Sequence, residues 1–196
     1  MIGTVAQEQG APKPEELRKT VAEFYGANTE KALAFYGLNV PGDGRSDPLY
    51  GSAGLQLAAD TDQRCGTIAQ AIWHSNAKNT VYEYQFDRII PGRERPQHSG
   101  EVSYVFGNLL TDGFLGGPYG PTDRQISETM QTYWTNFAKT SNPNGAGLPT
   151  WPTFDPSGRA YLEFTDTGPV ARAGLRREIC DLFHQNLAVQ MRTAGR

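Results

Sequence analysis

The side chains that could serve as an acid, a base or a nucleophile near neutral pH are few and widely spaced. The three histidines, His74, His98 and His184, lie at least 24 positions apart. That spacing excludes a helix-borne His-x-x-x-His metal pair. Cys65 and Cys180 cannot hold a metal by themselves, and no Cys-x-x-Cys redox pair occurs. They read either as two buried thiols or as one disulfide across a separation of 115 positions. Such a bridge stabilises by about 4 to 5 kcal/mol in the chain-entropy model. An imidazole is the natural general base at pH 7, so each histidine is a candidate. His74, between apolar Ile72-Trp73 and polar Ser75-Asn76, reads as a helix-end structural residue. His184 falls in the last amphipathic segment and reads as a packing or surface residue. His98, in the polar segment 91–100, is by composition alone a surface loop residue.

The elements around these groups follow from periodicity. Ile2 to Val5 is a short strand running into the loop Ala6-Gln7-Glu8-Gln9-Gly10. Pro14 opens a helix whose Leu17, Val21 and Phe24 recur on one face, and Gly26 stops it. Thr29 caps a second short helix through Tyr36, with Gly37 as terminator. A loop over 38–53 precedes a helix from about Leu55 to Asn76. Val81 to Phe86 alternates at period two, with Tyr82, Tyr84 and Phe86 on one face. Glu101 to Leu110 reads as a short helix. Thr122 or Asp123 caps a long one to Thr140, with Ile126, Met130, Trp134 and Phe137 on its apolar side. Tyr161 to Phe164 is a short strand, and Leu175 to Met191 is a terminal amphipathic helix. Three strands offer little surface for so many helices, so the chain reads as part of a larger sheet.

Composition narrows the partners. With 18 basic and 21 acidic residues the formal charge is −3, which argues against nucleic acid and anionic membranes as partners. No run approaches the ~20 apolar residues of a membrane span. The first ten residues have neither the basic nor the apolar region of a secretory signal. The 22 glycines and 13 prolines predict many turns, below the level of low-complexity disorder. No repeat occurs, and no internal linker divides the chain.

Three motifs carry a family resemblance that covers nearly the whole chain. His98-Ser99-Gly100-Glu101-Val102-Ser103-Tyr104-Val105-Phe106-Gly107 resembles the histidine motif of the type-B carboxylesterases, in which His lies three positions before Glu and an apolar run ends in Phe-Gly. Trp134-Thr135-Asn136-Phe137-Ala138-Lys139-Thr140-Ser141-Asn142-Pro143-Asn144 is similar to that family's Trp-x-Asn-Phe-Ala-x-Thr-x-x-Pro-Asn segment. Gly3-Thr4-Val5-Ala6-Gln7-Glu8-Gln9-Gly10 is similar to the segment with the catalytic acid. It departs from the pattern in having Gln7 where Asp is usual and Gln9 inserted before the glycine.

The resemblance implies an α/β class, the C-terminal part of an α/β-hydrolase fold, with residues 1–196 supplying the last strands of the central sheet and covering helices. It implies Glu8 as the acid that orients the imidazole and His98 as the base, the histidine being presented in a polar loop after a strand. It also implies a disulfide between Cys65 and Cys180, and hence a secreted or periplasmic setting for the intact protein. No metal or organic cofactor is implied; the partners are a small ester substrate and the missing N-terminal part of the fold.

The nucleophile is the gap. In this fold the order is Ser, acid, His, with Ser in a Gly-x-Ser-x-Gly elbow after a strand. The nearest imitation, Tyr50-Gly51-Ser52-Ala53-Gly54, has Tyr at the first glycine and lies after Glu8. The expectation is a serine carboxylesterase whose acid and base are here and whose nucleophile is elsewhere. The alternative is a non-catalytic interaction module or inactive fragment on the same fold.

Overall fold

The computed structural model describes residues 1–8 and 10–194. The strand-to-loop reading at Gln9 therefore lies outside the described residues. The chain forms two compact units, Met1–Ala6 with Ala71–Leu175, and Gln7–Gln70 with Arg176–Arg196.

The first unit is built on a four-stranded sheet in the order β1 (Ile2–Val5), β2 (Glu83–Phe86), β3 (Ala160–Thr165), β4 (Gly168–Ala173). The first three strands run parallel, in register Ile2↔Glu83 and Tyr84↔Leu162; β4 returns antiparallel. The sequence reading found three of these strands and missed β4. Its residues Gly-Pro-Val-Ala-Arg-Ala show no hydrophobic alternation, and Pro169 can sit there because β4 is an edge strand.

One face of the sheet is covered by α6 (Pro121–Thr140). Ile126, Met130 and Tyr133 are its buried hydrophobic residues, and Trp134 and Phe137 flank the same core. Trp151 packs at ring separations of 5.3 to 6.2 Å from Tyr82, Tyr84, Tyr133, Trp134 and Phe164. Its indole donates to the Glu83 carbonyl at 2.9 Å, so the buried ring leaves no orphaned N–H. The N-cap of α6 is Gly120 rather than Thr122 or Asp123. Asp123 sits three positions in and accepts from the Gly120 amide at 2.8 Å. The helix expected over 101–110 is shorter, α5 (Gly100–Val105), because Gly107 turns left-handed at φ 68 and the Asn108 amide closes onto Ser103.

The second unit holds α1 (Leu17–Tyr25), α2 (Thr29–Tyr36), α3 (Ala53–Ala59), the first half of α4 (Cys65–Asn76) and α7 (Arg177–Ala194). Thr29 is the first residue of α2 and not its cap; its hydroxyl donates back to Gly26 at 2.6 Å. The expected helix over 55–76 is interrupted by a π turn, Asp60–Arg64. That turn places Asp60 against Arg64, Arg176 and the Tyr36 hydroxyl. Phe183 of α7 meets Phe24 and Tyr25 of α1 with ring centroids 6.2 to 6.3 Å apart.

Candidate active site

His98 belongs to the first unit, in the segment 87–99 that joins β2 to α5. The Gly100 amide donates to the Gln97 carbonyl at 2.8 Å, so residues 97–100 form a turn with His98 in its second position. Ser99, in the third, has φ 64 and ψ 10, the left-handed conformation that glycine or asparagine usually supplies. A non-glycine residue held there costs on the order of 1 kcal/mol and persists only where its surroundings fix it. The His98 side chain is exposed at the corner of this turn.

Glu8 belongs to the second unit and is buried. It follows β1 directly in the chain. Beyond the last β1 pair, Val5↔Phe86, the Ala6 amide donates to the Phe86 carbonyl at 3.0 Å, which carries the ladder to within two residues of Glu8. Gln7, where the family pattern has an acid, donates to the Leu49 carbonyl at 2.8 Å. Glu8 and His98 thus fall in different units.

Ser52 caps α3: its hydroxyl accepts from the Leu55 amide at 3.3 Å, with φ −61 and ψ 161. An elbow serine is strained and follows a strand. Ser52 is extended, unstrained, and follows a loop in which the Asp47 carboxylate accepts the Leu49 and Tyr50 amides. The two cysteines are joined, with Cα atoms 4.9 Å apart and both residues fully buried. His184 takes a part that its sequence position gave no hint of, donating from Nε2 to the Cys65 carbonyl at 2.7 Å. His74 lies in the last turn of α4, with Nδ1 3.4 Å from the side-chain Nδ2 of Asn79.

A shallow groove of 360 Å³ in the first unit is lined by Val102, Leu110, Phe114 and Leu115 with Asn108 and Gly116. Tyr119 turns inward instead, donating to the Leu115 carbonyl and packing against the Tyr104 ring at 5.7 Å. Among the described residues, no group of three His, Cys, Asp or Glu side chains is placed to hold a metal ion. No described helix is long and apolar enough to cross a membrane.

Two carboxylates were missed by the sequence reading, which gave Glu83 no role and Asp123 only that of a possible cap. Burial raises Glu83 to about 8, opposed by the charge of Arg159. For Asp123, burial acts upward, but hydrogen bonds from the Gly120 amide, the Tyr104 hydroxyl and Arg88 outweigh it. The Asp123 carboxyl is held below the usual range.

A parallel sheet whose strands deliver their chains to one edge, with an antiparallel edge strand and helices over it, is part of an α/β-hydrolase fold. The structures of PNB esterases share it: one aligns with a TM-score of 0.69 and 24% identity over 89% of this chain and 34% of that one. A thermophilic PNB esterase gives 0.68 with 23% identity, covering 89% and 34%. The profile of the carboxylesterase family matches residues 6–183, and the chain belongs to that family. The medium-chain fatty acyl-CoA hydrolase precursor of Anas platyrhynchos is 31% identical over 157 residues, 76% of this chain and 24% of its own. Carboxylesterase 4A of Bos taurus is 34% identical over 107 residues, covering 52% and 19%. The chain therefore spans about a quarter or less of the length of the curated relatives it matches.

Proposed function

We propose that this chain is the C-terminal portion of a serine carboxylesterase and supplies its acid, Glu8, and its base, His98. The carrying observation is topological. β1 and β2 are parallel neighbours, so the chain leaves both at the same edge of the sheet, and Glu8 follows the one as His98 follows the other. In open α/β sheets the ligand binds beyond the carboxyl ends of the strands. A carboxylate there holds the imidazole in one tautomer and stabilises the imidazolium formed as serine attacks the ester. The serine and the oxyanion donors belong to a segment outside this chain, and the reaction passes through an acyl-serine intermediate. The carboxylesterase names among the relatives support a carboxylic ester as substrate. The buried Cys65–Cys180 bridge supports an oxidising, extracytoplasmic setting.

Two measurements test this. The purified chain is expected neither to turn over p-nitrophenyl acetate nor to react with a fluorophosphonate probe; turnover or labelling lost in Ser52→Ala would overturn it. Joined to a polypeptide with the Gly-x-Ser-x-Gly elbow, the chain is expected to support hydrolysis. His98→Gln or Glu8→Gln then lowers kcat on the order of 10⁴-fold. Unchanged turnover in either variant removes that residue from the mechanism.

A further inference from the structure

We propose that Asp123 is a positioning residue for His98, clamping both roots of the segment that presents the imidazole. The inference rests on the reading of His98 as the base. A carboxylate in the first turn of a helix has enough to do in accepting the amide at the N-cap, as Asp123 Oδ2 does from Gly120 at 2.8 Å. Its other oxygen does more. Oδ1 accepts from Arg88 Nε at 2.9 Å and lies 2.9 Å from Arg88 Nη2. The same oxygen accepts from the Tyr104 hydroxyl at 2.8 Å.

Those donors stand at the two ends of one stretch of chain. Arg88 is the second residue after β2, and Tyr104 lies in α5, which begins immediately after the His98 turn. Asp123 and Tyr104 are both buried, so the charge-assisted bonds form away from water, where they are strongest. Each donor is anchored again. Arg88 Nη1 donates to Asp166 at 2.8 Å in the β3–β4 turn, and the Tyr104 carbonyl accepts from Ser127 at 2.7 Å on α6. The rings of Phe86 and Tyr104 lie 5.1 Å apart, closing β2 onto α5. Between these fixed roots the His98 side chain is exposed, followed by left-handed Ser99. A strained turn keeps its shape only if its ends are held, and one carboxylate holds both. Asp123 is buried and touches no reacting group; it acts through the loop.

The test uses the isotope-labelled chain and its histidine imidazole resonances, with His74 of the same unit as internal control. In Tyr104→Phe, the mildest break, the His98 ring signals are expected to shift or broaden while those of His74 stay fixed. Amide-exchange protection at Gly100 and Val102 is expected to fall about tenfold, as loss of a hydrogen bond to a charged group implies. Asp123→Asn is expected to do the same more strongly, and Asp123→Glu to restore it in part. Equal response of His98 and His74, or unchanged protection at Gly100 and Val102 in Tyr104→Phe, overturns the clamp. The reading of His98 as base fails separately, through retained hydrolysis in His98→Gln of the longer enzyme, and that failure leaves these signals untouched.

Discussion

Glu83 shows how a residue that looks ordinary in the sequence becomes a titrating group in the fold. Period-two alternation puts Tyr82, Tyr84 and Phe86 on one face and leaves Glu83 and Gln85 on the other, the face that an antiparallel strand commonly turns to solvent. Both are buried instead, at 1% and 0% exposure, because a strand flanked by parallel neighbours is covered on both faces. Alternation is a guide to antiparallel strands, and it misleads here for that reason. Burial raises the Glu83 carboxyl to about 8, with Arg159 opposing, and its Oε2 finds no hydrogen bond. The folded chain then holds a proton that the unfolded chain releases above its ordinary carboxyl pKa. The contribution is therefore complete at low pH and is lost as pH rises toward 8, at up to about 1.4 kcal/mol per pH unit. Denaturant titrations from pH 5 to 9 should show that loss, and Glu83→Gln should flatten it. Equal slopes in the two proteins would remove Glu83 as the cause.

At the scale of elements, strands with apolar runs and helices with a clean stripe were legible, and elements defined by their neighbours were not. β4 exists because β3 offers it a ladder, not because its own residues favour a strand. The π turn within the expected 55–76 helix is likewise invisible to a 3.6-residue period, since the residues on either side keep helical composition. β1 carries a further constraint that propensity would misjudge. Gly3 pairs with Tyr84, whose ring lies over the glycine where a β-carbon would stand. Valine is a far better strand former than glycine, yet Gly3→Val should destabilise by about 1 to 3 kcal/mol, because the ring must leave its packing against Trp134 and Trp151. Thermal and urea melts of Gly3→Val beside an exposed-strand control, Ala171→Val, decide it. A stabilised Gly3→Val protein would show that the ring moves freely.

For the whole molecule, length and composition showed no internal linker and said nothing of the family; the chain forms two compact units. The motifs were the better guide: the run from His98 to Gly107 and the Trp134–Asn144 segment pointed to the carboxylesterase family that the profile match bears out. The acid segment was weaker because Gln7 and Gln9 depart from its pattern. The cysteines were undecided by composition, since a thiol and a half-cystine are equally apolar and equally buried. In the fold the bridge joins Cys65 to Cys180 across 115 positions, and the loop so closed contains β2, β3, β4 and α6. A crosslink over so long a loop acts mainly on the unfolded ensemble, removing about 4 to 5 kcal/mol of chain entropy. It must also leave that ensemble more compact, exposing less surface on unfolding. Guanidinium unfolding of the oxidised and reduced chain should therefore differ in two linked ways. The oxidised protein should have the higher stability and the lower m-value. Reduction of the native protein should be slow, since both sulfur-bearing residues are fully buried and the bond becomes reachable only when the structure opens. Equal m-values with unequal midpoints would place the bridge's effect in the native state instead.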